Sequence, residues 1–145
     1  MTNKRKDRSF KRGKDHLFLQ LHHDMIKHSA WGSLSGHAVK LYVELGLKYN
    51  GSNNGNLEAT INQMKLRGFR SSSTLDKAKK ELISKGFIIV TRRGGRNKPT
   101  LYALTSFALD DCNKIYDHGV KVDNVATRRW KTLDQNRSLV QCKNS

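Results

Sequence analysis

The chain has 145 residues, one domain's worth with room for tails, and carries 28 Lys and Arg against 12 Asp and Glu, a formal net charge of +16. Charge at this level selects a polyanion as partner, and hydrophobic content of only 36% implies that part of the chain lies outside a core. No apolar run approaches the roughly 20 residues of a membrane span and no apolar signal core follows the basic N-terminus, so a cytoplasmic, nucleoid-associated protein with no membrane partner is expected.

Residues 1–14 hold seven Lys and Arg against Asp7 and a single large apolar residue, Phe10. This segment reads as a disordered basic arm that can neutralise phosphates. Residues 15–112 read as the folded domain. Leu17, Leu19 and Leu21 alternate and suggest a short extended piece, after which Met25, Ile26, Ala30 and Leu34 support a helical turn or two anchored by Trp31. Five of the six histidines lie between His16 and His37. Adjacent His22 and His23 face apart on a helix or a strand, and no carboxylate or thiol at ligand spacing completes a shell, so no metal or other cofactor is expected. Cys112 and Cys142 have no CxxC neighbour and read as free thiols.

Ser35 caps a helix whose buried stripe is Ala38, Leu41, Tyr42 and Leu45, with Lys40, Glu44 and Lys48 facing water and Glu44 paired to Lys48 at i, i+4. NGSNNG, residues 50–55, ends it in a tight excursion. No strand precedes that loop and no GKS/T follows it, so it is not a phosphate cradle. Asn56 to Glu58 can supply a short first strand. Thr60 to Lys65 is a short helix, Arg67-Gly68-Phe69 a turn with Phe69 plugging the angle between the two helices, and residues 71–87 hold a second helix that ends before Gly86. In that helix Leu75, Ala78, Leu82 and Ile83 share one stripe, a serine among Ser71, Ser72 and Ser73 caps the start, and Gly86 follows the end. Its opposite face carries Ser72, Thr74, Lys77 and Lys80. Phe87 to Thr91 and Thr100 to Thr105 read as strands around a cationic turn, RRGGRNKP. On the second strand, Leu101 and Ala103 alternate with Tyr102 and Leu104, so one face packs inward. Residues 113–145 lack a sustained period and read as a largely disordered basic tail, in which Trp130 either docks a partner or folds back on the domain.

The ordered set helix, turn, helix, strand, basic loop, strand predicts an α+β fold, a winged helix-turn-helix with a three-helix core and a two-stranded wing. YNGSNNGNL, QMKLRGFRSSSTLDKAKKELISKGFI and PTLYALT together resemble the winged-helix domains of bacterial mobile-element and prophage proteins, some related to plasmid and phage replication initiators. The resemblance covers residues 17–112. It implies double-stranded DNA binding, with residues 71–80 as recognition helix and Arg92 to Lys98 as wing tip. The expected contact set is Arg70, Ser71, Ser72, Ser73, Thr74, Lys77, Lys80, Arg92, Arg93, Arg96 and Lys98. The role it suggests first is a transcriptional regulator of a mobile element, with a replication or excision accessory protein as the alternative. A homodimer would place two half-sites about one helical turn apart.

Two other classes compete. An RNA-binding protein suits the charge, but Tyr102 is a thin stacking platform. A nuclease or relaxase needs a carboxylate cluster or histidine triad, and the chain shows neither, so no enzyme is expected; Asp110-Asp111 reads as a capping or solvated pair.

Overall fold

The computed structural model describes residues 18–113 and 115–133; the expected N-terminal arm, Leu17, Cys142 and the last part of the C-terminal tail lie outside them. The fold is mixed α+β. In order it runs α1 (His23–Lys27), α2 (Ser29–Gly32), α3 (Gly36–Lys48), β1 (Leu57–Glu58), α4 (Ile61–Lys65), α5 (Ser72–Ser84), β2 (Ile88–Arg92) and β3 (Leu101–Leu104), with a further helical turn over residues 129–133. The strands form one antiparallel sheet in the order β1-β3-β2. Among the described residues no helix is long and apolar enough to cross a membrane.

Local signals account for the helix boundaries. The Ser35 hydroxyl accepts the Ala38 N–H and starts α3; the Ser71 hydroxyl does the same for Thr74 and starts α5. Both α4 and α5 end on a glycine at positive φ, Gly68 at 96° and Gly86 at 79°. After each glycine comes a phenylalanine whose N–H reaches back to a carbonyl of the last turn, Phe69 to Met64 and Phe87 to Leu82. This Schellman geometry satisfies orphan carbonyls and sends both phenylalanines inward, each essentially fully buried.

The core is built from Met25, the α3 stripe Ala38, Leu41, Tyr42 and Leu45, the α5 stripe Leu75, Ala78 and Leu82, and the sheet residues Leu57, Ile88, Tyr102 and Leu104. Trp31 meets Tyr42 and Phe87 edge-on, at centroid distances of 5.3 and 5.5 Å. Burial of this apolar set is the main stabilising term, at about 25 cal/mol per Å².

Four expectations need correction. Glu44 and Lys48 do not pair. Glu44 is only 8% exposed and takes Arg67 Nε at 2.8 Å, while Lys48 turns to the Glu58 carbonyl and the Gln63 side chain. Arg67 and Gln63, from the α4 segment, cover Glu44 and part of Lys48, while Lys40 faces water as expected. Leu101 to Leu104 are all buried rather than alternating, because β3 is the middle strand and both its faces are covered. The loop 50–55 is more than a reversal: Asn54 is fully buried. Its amide accepts the Leu104 N–H at 2.8 Å and donates to the carbonyls of Leu104 and Ala108 at 2.9 and 2.8 Å. In effect Asn54 adds a side-chain rung to the sheet. Finally, residues 115–133 are not a loose tail. The Asp117 N–H donates to the Thr91 carbonyl and the Arg128 N–H to the Thr105 carbonyl, both at 2.8 Å. Trp130 is 2% exposed and stacks on Phe87 at 6.2 Å, so its indole is part of the core and not a docking element. This segment forms one wall of a cavity of about 580 Å³ on the far side of the sheet.

Candidate nucleic-acid interface

The first turn of α5 is a hydroxyl cluster. Ser71 Oγ lies 3.2 Å from Ser73 Oγ and 2.9 Å from Thr74 Oγ1, and accepts the Thr74 N–H at 3.3 Å. Capping therefore occupies Ser71 and leaves Thr74 half-buried, while Ser72 and Ser73 stay exposed. Farther along, Lys77 and Lys80 are exposed, and Arg70 is exposed just before the helix. With Leu75, Ala78 and Leu82 turned to the core, a rotation of about 100° per residue puts Ser73 and Lys80 opposite it, with Asp76 and Lys77 on either side.

The second surface is the hairpin between β2 and β3. Gly95 and Lys98 exchange backbone hydrogen bonds at 3.0 and 3.1 Å, which leaves Arg96 and Asn97 as the tip, Asn97 at a φ of 61°. Arg93, Arg96 and Lys98 are exposed. Arg92 differs: it is half-buried, its guanidinium donates to the Pro99 carbonyl at 3.2 Å, and its Nε is buried without a partner. The cause is a bulge between Val90 and Arg92, which breaks strict alternation and turns this side chain back along the hairpin foot. The same bulge buries Thr91, whose hydroxyl donates to the Gly55 carbonyl at 2.6 Å. Asp117 clamps the foot from outside, its carboxylate accepting the Arg93 N–H at 2.7 Å.

The two surfaces adjoin along β3. Lys79 Nζ lies 5.8 Å from the centre of the Tyr102 ring, two residues from Thr100 at the end of the hairpin loop. Burial pulls the Lys79 ammonium below its ordinary pKa, and the nearby Asp76 carboxylate opposes that shift. Residue-level pattern singled out neither Lys79 nor Lys40, which stands over Phe69 at 6.0 Å beside the α4–α5 turn. Lys79 was findable, since it follows Ser72 and Asp76 on one helical face. Lys40 was not, because its neighbour Phe69 comes from a turn distant in sequence.

Three histidines of the N-terminal part pack on aromatic rings: His22 meets Phe107 at 6.2 Å, His28 meets Trp130 edge-on at 5.0 Å, and His37 meets Phe69 at 5.9 Å. They are dispersed over three partners. No protein-family model, curated protein or solved structure matches this chain.

Proposed function

We propose that this chain is a winged helix-turn-helix protein that binds double-stranded DNA, with α4 and α5 as the helix-turn-helix and the β2–β3 hairpin as the wing. The observation that carries the proposal is that α5, with exposed Ser72, Ser73, Lys77 and Lys80, meets through the Lys79–Tyr102 contact the strand that leads from the hairpin bearing exposed Arg93, Arg96 and Lys98. An α-helix fits a B-DNA major groove, and a short cationic hairpin beside it reaches phosphates or the adjacent minor groove. Arg70 and Lys40 extend the positive rim on the side of the α4–α5 turn. RNA is the weaker partner class, because Tyr102, the aromatic on the strands, is 5% exposed and lies under Lys79; a base cannot stack on it.

Affinity is mainly electrostatic on this reading. Engaging about six phosphates gives a log–log salt slope near −5 on B-DNA. Fluorescence anisotropy of a labelled duplex and a single strand, titrated at several salt concentrations, tests it: the duplex is bound tighter with that slope. A duplex slope near zero, or preference for the single strand, overturns the reading.

In cellular terms the simplest role is transcriptional regulation within a mobile element, with replication or excision accessory protein as the alternative. Selection of bound fragments separates them. A palindrome beside the protein's own gene points to regulation, and direct repeats near an origin point to replication.

A further inference from the structure

We infer that Asp76 is the base-reading residue of α5, its carboxylate accepting a hydrogen bond from the exocyclic amine of a cytosine in the major groove. The inference rests on the duplex-binding reading above and adds the base class that the helix selects.

Asp76 sits on the Lys79 side of the proposed contact face, one turn after Ser72 and Ser73 and one turn before Lys80, and it is exposed. Capping does not explain it, because Ser71 caps α5 and the first turn holds no acidic residue. Nor does core packing, which uses Leu75, Ala78 and Leu82. Its charge neighbours on the helix are Lys79, on which its carboxylate acts, and Lys80 at i+4, and it remains an exposed carboxylate on a face that is otherwise hydroxyl and ammonium. Against phosphates such a group is repelled, so it weakens binding to DNA in general. It is compensated only where the duplex offers a donor. In the major groove the donors are the amines of cytosine and adenine. Adenine N6 is flanked by two acceptors, its own N7 and the O4 of the paired thymine, whereas cytosine carries no acceptor of its own on that edge and N4 is flanked only by the O6 of the paired guanine. A carboxylate therefore selects cytosine. The exposed hydroxyls of Ser72 and Ser73 donate and accept alike and discriminate poorly, so the sharpest position in the bound sequence belongs to Asp76. Lys79, held over Tyr102 on the hairpin side of the same face, lowers the electrostatic penalty of presenting an anion there.

The test is selection from a randomised duplex library at fixed salt with the full chain as wild type, Asp76→Asn and Asp76→Ala, alongside affinity for mixed-sequence duplex and a thermal melt of each protein. Expected for wild type is one cytosine position worth roughly five- to hundredfold in affinity. Asp76→Asn moves that position towards adenine, since an amide both accepts from N6 and donates to N7. Asp76→Ala erases the preference there and binds mixed-sequence duplex more tightly, with the melt unchanged because the residue is exposed. An identical motif from all three proteins overturns the inference while leaving duplex binding intact. A wild type that shows no salt-dependent duplex binding overturns the functional reading itself, and the inference with it.

Discussion

Glu81, near the end of α5, caps a helix to which it does not belong: its carboxylate accepts the Ser35 N–H at 2.7 Å and the Ser35 hydroxyl at 2.6 Å. Lys85 completes the junction, reaching the Ser33 carbonyl at 2.8 Å and Glu81 at 3.4 Å. The contact sets the register of α5 against α3, and thereby the direction in which Ser73 and Lys80 point.

Loss of this cap is expected to lower stability measurably. Hydrogen bonds to a charged group contribute about 1.5–3 kcal/mol, so Glu81→Ala should lose about 2 kcal/mol and Glu81→Gln somewhat less, read as urea midpoints near neutral pH. The effect depends on pH. Partial burial raises the Glu81 pKa, but the Ser35 hydrogen bonds and Lys85 outweigh it, and the carboxyl titrates below its ordinary value. A depressed carboxyl stabilises the fold above the unfolded-state pKa of about 4.3, and that contribution fades as pH falls through the lower folded value. Wild type and Glu81→Gln should therefore converge in acid and diverge towards neutrality.

Asn54 gives a sharper contrast between two substitutions. Asn54→Ala removes the partner of the Leu104 N–H and of several carbonyls, at about 1–3 kcal/mol for each group left unsatisfied. Asn54→Asp is worse, because a buried carboxylate would face the carbonyls of Leu104, Phe107 and Ala108, to which the amide now donates. Denaturant midpoints should rank wild type above Asn54→Ala above Asn54→Asp, with Asn54→Asp improving as pH falls and the acid protonates.

Trp130→Ala should destabilise the domain by about 3–5 kcal/mol, the range for emptying a buried aromatic site. Urea unfolding followed by circular dichroism measures it. The folded fraction should keep the DNA preference of wild type, since Trp130 lies against His28 and Phe87 rather than on the exposed face of α5.

On DNA, Lys77→Ala and Arg96→Ala should behave differently. The hairpin tip holds Arg96 where it meets phosphates, so its loss should weaken all duplexes alike and reduce the salt slope by about 1. Lys77 flanks the base-facing stripe, so Lys77→Ala should relax sequence preference. Competition between specific and mixed duplexes distinguishes the two outcomes, and uniform weakening by both variants would mean that Lys77 does not read bases.

Elements governed by short-range chemistry were legible in the sequence. Ser35 and the 71–73 serines marked two helix starts, Gly68 and Gly86 marked two ends, and the β-rich runs around RRGGRNKP marked the hairpin. The exposed members of the candidate site on α5, Ser72, Ser73, Lys77 and Lys80, followed from helical phase. What escaped depends on contacts across the chain. Glu44 prefers Arg67 to the Lys48 one turn away, Asn54 finds Leu104 across fifty residues of chain, and the bulge at Thr91 draws Arg92 partly away from the surface. Residues 115–133 show no period because they adopt little regular structure: their fit to the domain is made by backbone hydrogen bonds, the Tyr116 hydroxyl, the Asp117 carboxylate and one indole. Periodicity cannot register that kind of attachment.

The placement of Trp130 bears on biosynthesis. A nascent chain that has emerged only as far as β3 can form its helices and sheet, but Phe87 still lacks the indole stacked on it, and residues 86–91 lack their outer covering. Closure of the domain waits for residues from its far end to leave the ribosome. A ribosome stalled before that point, or a protease cutting between residues 109 and 128, would leave an apolar wound beside the sheet, a feature that quality-control chaperones bind.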